Sequence, residues 1–444
     1  MSAFPAAEIG ERKLVSTNLT NTRRRIVNKT PGTKTLTAAI LLGLFITTAD
    51  AAGLTPKELL GKALFFDKHL STPEGQSCAI CHGADVGWTG PDSMINAHGA
   101  VYEGAVLGRF GNRKPPSSGY ATQSPILHFS RSGGGRFTGG NFWDGRATGE
   151  KLGNPAADQA QGPFLNPLEQ NNDSPLAVCD KVSASSFAQE LTGYTYAMLF
   201  DQAFGSGSLD CTTAVDATYD RIALAIAAYE GSREVNRFSS RYDAFLARKA
   251  KLTTDELMGL ALFNGQAKCS RCHSSVAKAK GTPPLFTDYT YDNLGVPRNP
   301  ENPFYTQLAF NPLGSNWLDF GLGGFLASRI DYQRYAPANL GKQKVPTLRN
   351  VDKRPYPEFV KAYSHNGYFK SLKGIVHFYN TRDAKPRCPN PLTTEADAIA
   401  QGCWPAPEVA NNVNTSELGN LGLSDAEENA IVKFLKTLSD EPGQ

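Results

Sequence analysis

The chain has 444 residues, of which 40% are hydrophobic, and its 45 basic and 42 acidic side chains leave a net charge of +3. This length exceeds a single ordinary core and therefore predicts two domains. So small a net charge gives no electrostatic reason to expect a nucleic-acid partner. The 42 glycines and 28 prolines predict long ordered loops around the secondary structure.

The first fifty residues are typical of a secretory signal. Three arginines at 23–25 precede an apolar run over 36–46, and Ala49-Asp50-Ala51 supplies a small-residue cleavage site. The apolar run is short for a membrane span, although an uncleaved anchor stays the alternative. The sequence therefore predicts a signal peptide over 1–51, a mature chain without an integral membrane span, and a periplasmic or secreted location.

Two Cys-x-x-Cys-His pentapeptides lie almost two hundred residues apart, and this spacing is the attachment signal for c-type haem. Each thiol adds to a vinyl group of the haem, and the adjoining histidine becomes an axial iron ligand. A structural zinc site needs four protein ligands, whereas each pentapeptide offers three. A pair of disulfides would not explain the two histidines. The residues predicted to hold two covalent haem c groups are Cys78, Cys81 and His82, and Cys269, Cys272 and His273.

Four further cysteines remain. An even remainder in an exported protein predicts two disulfides, here with the local pairings Cys179–Cys211 and Cys388–Cys403. The sequence alone does not fix this connectivity.

An internal repeat precedes each haem motif. Residues 54–65 and 252–263 both read L-T-x-x-E-L-x-G-x-A-L-F. Each copy opens with a capping box and continues with apolar residues at helical spacing, which predicts an amphipathic helix that leads into each haem loop. Three capping boxes are predicted: Thr55 with Glu58, Thr253 with Glu256, and Ser424 with Glu427, the last opening a final helix that runs to Leu438.

These features predict a mainly α fold with long ordered loops. A further helix is expected over 219–229, and no long alternating β pattern is present. We expect two cytochrome c-like domains, an N-terminal one over 52–240 and a C-terminal one over 241–444, each with one covalent haem. The stretch 274–344 is rich in Gly, Pro, Asn and Asp and is expected to form loops rather than a third domain.

Besides the two haem motifs, five further segments appear in the order 61–67, 141–147, 162–169, 345–351 and 365–367, reading GKALFFD, NFWDGRA, GPFLNPLE, VPTLRNV and HNG. With these motifs the chain resembles the bacterial di-haem cytochrome c peroxidase family, including its MauG-like branch. The resemblance covers nearly all of the predicted mature chain. It implies that the N-terminal haem meets peroxide and that the C-terminal haem exchanges electrons.

The resemblance also implies roles for individual residues. Trp143 matches the tryptophan between the two haems, although a core aromatic is the ordinary alternative. Glu169 matches the glutamate above the peroxidatic haem, where a carboxylate can act as general base and then as general acid. His98 lies sixteen positions after His82, as does the histidine that caps the resting peroxidatic haem in many members. MauG-like members lack that cap, so this role stays open.

The second haem has no methionine available as its sixth ligand. The four methionines are at 1, 94, 198 and 258, all before the second haem motif. Tyr379 stands where the family's methionine falls, as in MauG-like members, with His365 or His377 as the alternative ligand. An anionic phenolate would favour the oxidised iron. The family resemblance also implies a calcium ion, for which the carbonyl groups near Val360 and Ala362 and the Asn112 side chain are candidate ligands.

We therefore expect an exported di-haem oxidoreductase that reacts with hydrogen peroxide and oxidises a partner protein through a high-valent haem pair. The alternative is a cytochrome c peroxidase that reduces peroxide with electrons from a small cytochrome c or copper protein. A third possibility, a non-enzymatic di-haem electron carrier, is disfavoured by Glu169.

Overall fold

Helices and long irregular segments make up most of the chain, and strands are few. The computed structural model describes residues 53–131, 134–277 and 281–441, so the predicted signal peptide lies outside the described residues. In the N-terminal half the helices are α1 (Pro56–Phe66), α2 (Cys78–Cys81), α3 (Ser93–Ala97), α4 (Pro155–Leu165), α5 (Pro175–Ala184), α6 (Phe187–Thr192), α7 (Tyr196–Phe204) and α8 (Val215–Glu230). In the C-terminal half they are α9 (Arg241–Leu246), α10 (Thr254–Asn264), α11 (Gly321–Ala327), α12 (Leu372–Thr381), α13 (Glu395–Gln401) and α14 (Asp425–Lys436).

The strands form two small antiparallel pairs. Strand β1 (His128–Ser130) pairs with β2 (Arg136–Thr138), and β3 (Tyr291–Asp292) pairs with β4 (Gln343–Lys344). The fold is thus mainly α, as the sequence predicts. No helix within the described ranges is long and apolar enough to cross a membrane.

The repeated segments form equivalent helices, α1 and α10, and all three predicted capping boxes are present. In each repeat the shared glycine allows a second helix to approach closely. A Cβ atom on Gly61 would lie 1.8 Å from the carbonyl oxygen of Ala225 in α8, and one on Gly259 would lie 2.0 Å from that of Ala430 in α14. The internal repeat is therefore a packing repeat as well as a sequence repeat.

Each repeat helix belongs to its own apolar core. The first core includes Phe65 of α1, whose ring lies 5.7 Å from that of Tyr229 in α8. The second includes Phe263 of α10, whose ring lies 5.2 Å from that of Phe434 in α14. The two cores draw on residues 60–235 and 242–438 respectively. Residues 53–441 nevertheless form one compact unit, so the domain boundary at 240/241 stays a prediction.

Both predicted disulfides, Cys179–Cys211 and Cys388–Cys403, are confirmed. The expectation of loops alone over 274–344 is incomplete. Helix α11 lies in this stretch, and its Leu322 and Leu326 pack with Phe137 of the β1–β2 hairpin in a small satellite core. The high glycine content of α11 hides its helical character from a composition-based prediction.

Candidate functional site

Each Cys-x-x-Cys-His motif folds as a single helical turn that ends at its histidine. The His82 amide donates to the Cys78 carbonyl at 3.0 Å, and the His273 amide donates to the Cys269 carbonyl at 2.9 Å. The four motif thiols are free, whereas the other four cysteines are paired in disulfides. Both thiols and the imidazole of each motif are therefore presented together after a repeat helix.

The His82 ring lines a cavity of about 70 Å³, here called the first cavity. Its Nδ1 atom lies 3.1 Å from the Trp88 carbonyl oxygen and 3.1 Å from the Ser118 hydroxyl oxygen. Burial lowers the pKa of His82 to about 4, against the opposing hydrogen bond to Trp88. The imidazole is therefore neutral, with Nδ1 oriented by its neighbours and Nε2 available to bind a metal.

A buried carboxyl group lies behind Ser118. Glu230, the last residue of α8, is only 4% exposed, hydrogen-bonds to Ser118 and lines the first cavity. Burial raises the pKa of Glu230 to about 8, and the Ser118 hydrogen bond opposes this shift. The order His82, Ser118, Glu230 thus connects the proximal histidine to a carboxyl group through one hydroxyl.

The second motif lines a larger cavity of about 220 Å³, here called the second cavity. Its remaining walls are mostly apolar side chains: Phe263, Leu294, Val345, Leu348, Leu372, Ile375, Val376, Leu421, Leu423, Ile431 and Leu435. The Nδ1 atom of His273 lies 2.8 Å from the Phe286 carbonyl oxygen, and burial lowers the pKa of His273. Both histidines thus have a main-chain carbonyl beside Nδ1, and His82 has the Ser118 hydroxyl there in addition.

The sequence offers three candidates for the sixth ligand of the second haem, namely Tyr379, His365 and His377. The structure gives each of them a different position. Tyr379 of α12 lines the second cavity together with the second motif. His377, two residues earlier on the same helix, faces away and holds its Nδ1 atom 2.9 Å from Glu428. His365 lines the cavity and lies beside Trp143, with ring centroids 6.4 Å apart. The side chain of α12 that stands beside the second motif and could bind a metal is therefore the phenol of Tyr379.

The indole of Trp143 lines both cavities. Its Nε1–H donates to the Lys114 carbonyl at 2.8 Å, and its own carbonyl accepts from the Lys344 amide at 2.7 Å. The loop that carries Trp143 turns at Gly145, whose φ is +79° and where a Cβ atom would lie 2.3 Å from the Tyr291 hydroxyl. A glycine is required there, so the NFWDGRA sequence holds Trp143 between the cavities.

Charged side chains anchor the same loop. Arg113 donates to Asp144 at 2.7 Å and to Asp319 at 2.6 and 2.7 Å, and Arg146 donates to Asp144 at 2.9 Å. Burial alone would raise the pKa of Asp144, but the charges of Arg113 and Arg146 hold it below its usual value. The loop is therefore anchored by an ionised carboxylate beside Trp143.

Glu169 lies on the turn after α4. Main-chain hydrogen bonds to the carbonyl groups of Asn166 and Pro163 close this turn. Burial raises the pKa of Cys78 and Cys81, and the charge of Glu169 adds to the effect at both thiols, so its carboxyl group lies near the first motif although Glu169 does not line the first cavity. Burial raises the pKa of Glu169 itself, opposed by the charge of Arg146 and a hydrogen bond from Asn166. The structure thus brings a proton-accepting group close to the first motif.

His98 is not brought to either cavity. It ends α3, its side chain is 62% exposed, and its Nδ1 atom lies 3.0 Å from the Glu301 carboxylate. The role of a cap on the first haem therefore stays a prediction with no support from this arrangement.

Comparison with known proteins gives a consistent family assignment. A family model described as di-haem cytochrome c peroxidase matches residues 55–251. The methylamine utilization protein MauG of Paracoccus denitrificans is 33% identical over 382 residues, which cover 86% of this chain and 88% of that protein. The chain belongs to the di-haem cytochrome c peroxidase family.

Other members of this family are similar over much of their length. The cytochrome c551 peroxidase of Nitrosomonas europaea is 29% identical over 71% of this chain and 70% of that protein. The crystal structure of the diheme peroxidase BthA from Burkholderia thailandensis has a TM-score of 0.67, with 29% identity and 88% coverage of each chain. The chain is thus an oxidoreductase of the di-haem peroxidase family, and its fold matches that of a solved member.

The residues present fit the two haem groups that this family implies. Each motif supplies two free thiols and a neutral imidazole, and the second cavity adds a phenol within apolar walls. The His365 Nε2 and Glu408 Oε2 atoms, whose residues also line the second cavity, lie 3.6 Å from each other and so form an ion-pair contact at its wall.

The residues present do not fit the calcium ion that the family implies. The Val360 carbonyl accepts a hydrogen bond from the Asn96 amide at 3.1 Å. Two buried lysine side chains, Lys114 and Lys361, stand in this region and are at most 7% exposed, and burial lowers the pKa of Lys114 to about 7. Calcium prefers several oxygen ligands and carboxylates. Both amines donate hydrogen bonds to main-chain oxygens here, so these oxygens are already paired.

Several of these residues were missed by sequence reasoning. Ser118, Glu230 and Lys361 act through tertiary contacts with segments that are distant in the chain. Glu230 gave a weak signal, since a carboxylate at the end of the apolar run of α8 is unusual for a buried helix. No pattern in the sequence distinguishes Lys361 from a surface lysine.

Proposed function

We propose that this protein uses hydrogen peroxide to oxidise a partner protein, in the way that its resemblance to MauG-like enzymes implies. The observation that carries the proposal is the position of Tyr379, which lines the second cavity together with Cys269, Cys272 and His273. The three methionines in the described residues, Met94, Met198 and Met258, are all at least 40% exposed, and none lines either cavity. Tyrosine is therefore the ligand type available on α12.

A tyrosine ligand has a consequence for electron flow. Burial raises the pKa of Tyr379, so that without a metal its side chain is a neutral phenol. Ferric iron favours the phenolate, and a phenolate ligand stabilises the oxidised state more than a thioether does. We infer a second haem that is hard to reduce. Such a haem is a poor acceptor from a small cytochrome and a better store for an oxidising equivalent.

When bound, the haems supply the iron that reacts with peroxide and the electrons that reduce it. The protein side chains supply proton transfer and position. Glu169 takes a proton from peroxide as it arrives and returns it to the outer oxygen, because a carboxylate of raised pKa can serve first as base and then as acid. Trp143 lines both cavities, which supports a role for its indole between the two haem motifs.

We further propose that the enzyme works outside the cytoplasm. The confirmed disulfides Cys179–Cys211 and Cys388–Cys403 support this location, because disulfides persist in oxidising compartments. The predicted signal peptide agrees with it. We also propose two domains that meet at 240/241, because a separate apolar core lies on either side of this boundary.

The proposal is tested with the purified di-haem protein. One equivalent of hydrogen peroxide is added, and the electronic spectrum and its decay are followed with and without a reduced small cytochrome c. We expect a long-lived oxidised protein and slow turnover of the cytochrome. In the Tyr379→Met variant we expect a higher reduction potential for the second haem and faster turnover of the cytochrome.

Tyr356→Met is the matched control, because Tyr356 is 50% exposed and lines neither cavity. It should leave the potential and both rates unchanged. Fast oxidation of the reduced cytochrome by the unmodified protein would instead assign the chain to the cytochrome c peroxidases that detoxify peroxide. An unchanged potential in Tyr379→Met would show that Tyr379 is not a ligand.

A further inference from the structure

A buried lysine ends in a cage of main-chain oxygens close to the first haem motif. Lys361 is 4% exposed, and its Nζ atom donates to the carbonyl oxygens of Val86, Asn350 and Lys353 at 2.8, 2.7 and 3.2 Å. Val86 belongs to the turn that follows His82, whereas the other two carbonyls belong to the C-terminal half. The amine therefore joins the first haem loop to a distant segment of the chain.

The hydrogen-bond pattern selects the charged form of this amine. Burial lowers the pKa of Lys361, the charge of Lys114 adds to the effect, and Asp352 opposes it. Three carbonyl oxygens, however, can accept hydrogen bonds only from three N–H groups. An ammonium has three hydrogens, whereas a neutral amine has two and would direct its lone pair at the third carbonyl. The cage therefore holds a cation.

The C-terminal side of the cage is itself firmly held. The Asn350 amide donates to the Leu438 carbonyl at 3.0 Å, and its side chain donates to Asp440 at 2.9 Å. The backbones also approach closely here, because a Cβ atom on Gly87 would lie 2.6 Å from the Cβ atom of Asn350. The ammonium thus ties a haem loop to a segment fixed beyond the end of α14.

A divalent cation at this place would meet unsuitable surroundings. Asp352, whose carboxylate charge acts on Lys361, accepts from Arg354 at 3.0 and 2.7 Å and from the Tyr363 hydroxyl at 3.2 Å. Within the described residues, the one group of three potential metal-binding His, Cys, Asp or Glu side chains includes Cys272, in the second haem motif. The Val360 and Ala362 carbonyl groups thus flank in the chain a lysine whose amine is already held, and the Asp352 carboxylate is paired.

We infer that the Lys361 ammonium is the built-in cation that joins the first haem loop to the C-terminal half, so that this member of the family needs no calcium ion there. A covalently tethered cation cannot be removed by a chelator. The contact between the first haem loop and the C-terminal half should consequently not depend on calcium. It should depend on the charge of the Lys361 side chain.

The test uses the purified di-haem protein. Its metal content is measured by mass spectrometry, and its Tm and electronic spectrum are recorded after dialysis against EGTA and again after addition of CaCl2. We expect calcium far below one ion per chain and the same Tm in both conditions. Lys361→Met keeps an unbranched side chain but leaves three buried carbonyl groups unpaired, so its Tm should fall by several degrees.

Lys249→Met is the matched control, because Lys249 is exposed and the variant also loses one ammonium charge. It should keep the Tm of the unmodified protein. In Lys361→Ala, which vacates the cage, methylammonium should raise the Tm while leaving that of the unmodified protein unchanged. Stoichiometric calcium, or a Tm that falls with EGTA and returns with CaCl2, overturns the inference. A Lys361→Met variant as stable as the control also overturns the inference. If that variant does not fold, the EGTA experiment alone decides.

Discussion

Replacing Glu169 by glutamine should remove the proton transfer without disturbing the site. Glutamine has the shape of glutamate and its carbonyl oxygen can still accept the hydrogen bond from Asn166. Arg146 loses an opposite charge, but its side chain is 42% exposed and stays paired with Asp144. Loss of an exposed charge interaction costs at most about 1 kcal/mol. We therefore expect a folded variant that carries both haems.

The expected loss in the rate of the peroxide reaction is on the order of 10²–10⁴, the usual contribution of one general acid–base group. It corresponds to about 3–5 kcal/mol in the activation free energy. The assay is stopped-flow mixing with peroxide across a pH series, with haem content measured for each variant. In the parent the rate should fall as pH decreases through the raised pKa of Glu169, because the base form is lost there.

In the Glu169→Gln variant that part of the pH profile should be flat. Glu150→Gln is the matched control, since Glu150 pairs with Arg329 away from both cavities and should leave the rate unchanged. A Gln variant that reacts with peroxide as fast as the parent would show that another group moves the proton.

Three further results are expected. Trp143→Phe should keep both haems and the peroxide reaction but slow oxidation of an external donor protein, measured by mixing the peroxide-treated variant with that donor. Removing the Cys388–Cys403 disulfide by a double serine substitution should lower the free energy of unfolding in urea by about 3 kcal/mol, because the bond closes a short loop. Burial raises the pKa of Glu395 to about 7, so the folded state keeps a proton that the unfolded state releases near its ordinary value. Stability should therefore fall as pH rises across that window, by at most about 3 kcal/mol, and Tm measurements on Glu395→Gln should show a flatter pH dependence.

Sequence reasoning predicted the parts of the fold that local chemistry determines. The capping box of Thr253 and Glu256 and the helix it opens follow from hydrogen bonds within four residues. The pairing of Cys179 with Cys211 was the local choice for four leftover cysteines, and the structure has it. Helix α8 was expected over 219–229 and extends to Val215–Glu230, since apolar periodicity locates a helix better than its ends.

The parts that were missed depend on contacts between distant segments. Ser118 and Glu230 are more than a hundred residues apart, and neither lies in a recognisable motif. Lys361 reaches Val86 across an even larger separation. His98, by contrast, has a suggestive spacing from His82, yet its ring is held by Glu301 on the surface. Spacing along the chain indicates a ligand only where the loop between the two residues folds back.

The two haem motifs show how one repeated unit can be given two different tasks. The repeat supplies both with the same helix, the same glycine contact and the same single turn before the histidine. What differs is the set of side chains that the rest of the chain brings to each. Both histidines have a main-chain carbonyl beside Nδ1. His82 has in addition a hydroxyl and a carboxyl group behind it and Glu169 nearby, whereas His273 has Tyr379 in its cavity.

A protein adjusts a haem through the hydrogen bonds of the histidine that binds the iron and through the second axial ligand. We therefore propose that the division of labour between the two haems arises from four side chains, Ser118, Glu230, Glu169 and Tyr379, rather than from the motifs. Changing the side chains around one histidine should then change the reduction potential of that haem. A Ser118→Ala variant, which disconnects Glu230 from His82, should raise the reduction potential of the first haem and leave that of the second unchanged, as a redox titration can establish. Equal shifts at both haems would show that the change is a general loosening of the structure and not the loss of this hydrogen bond.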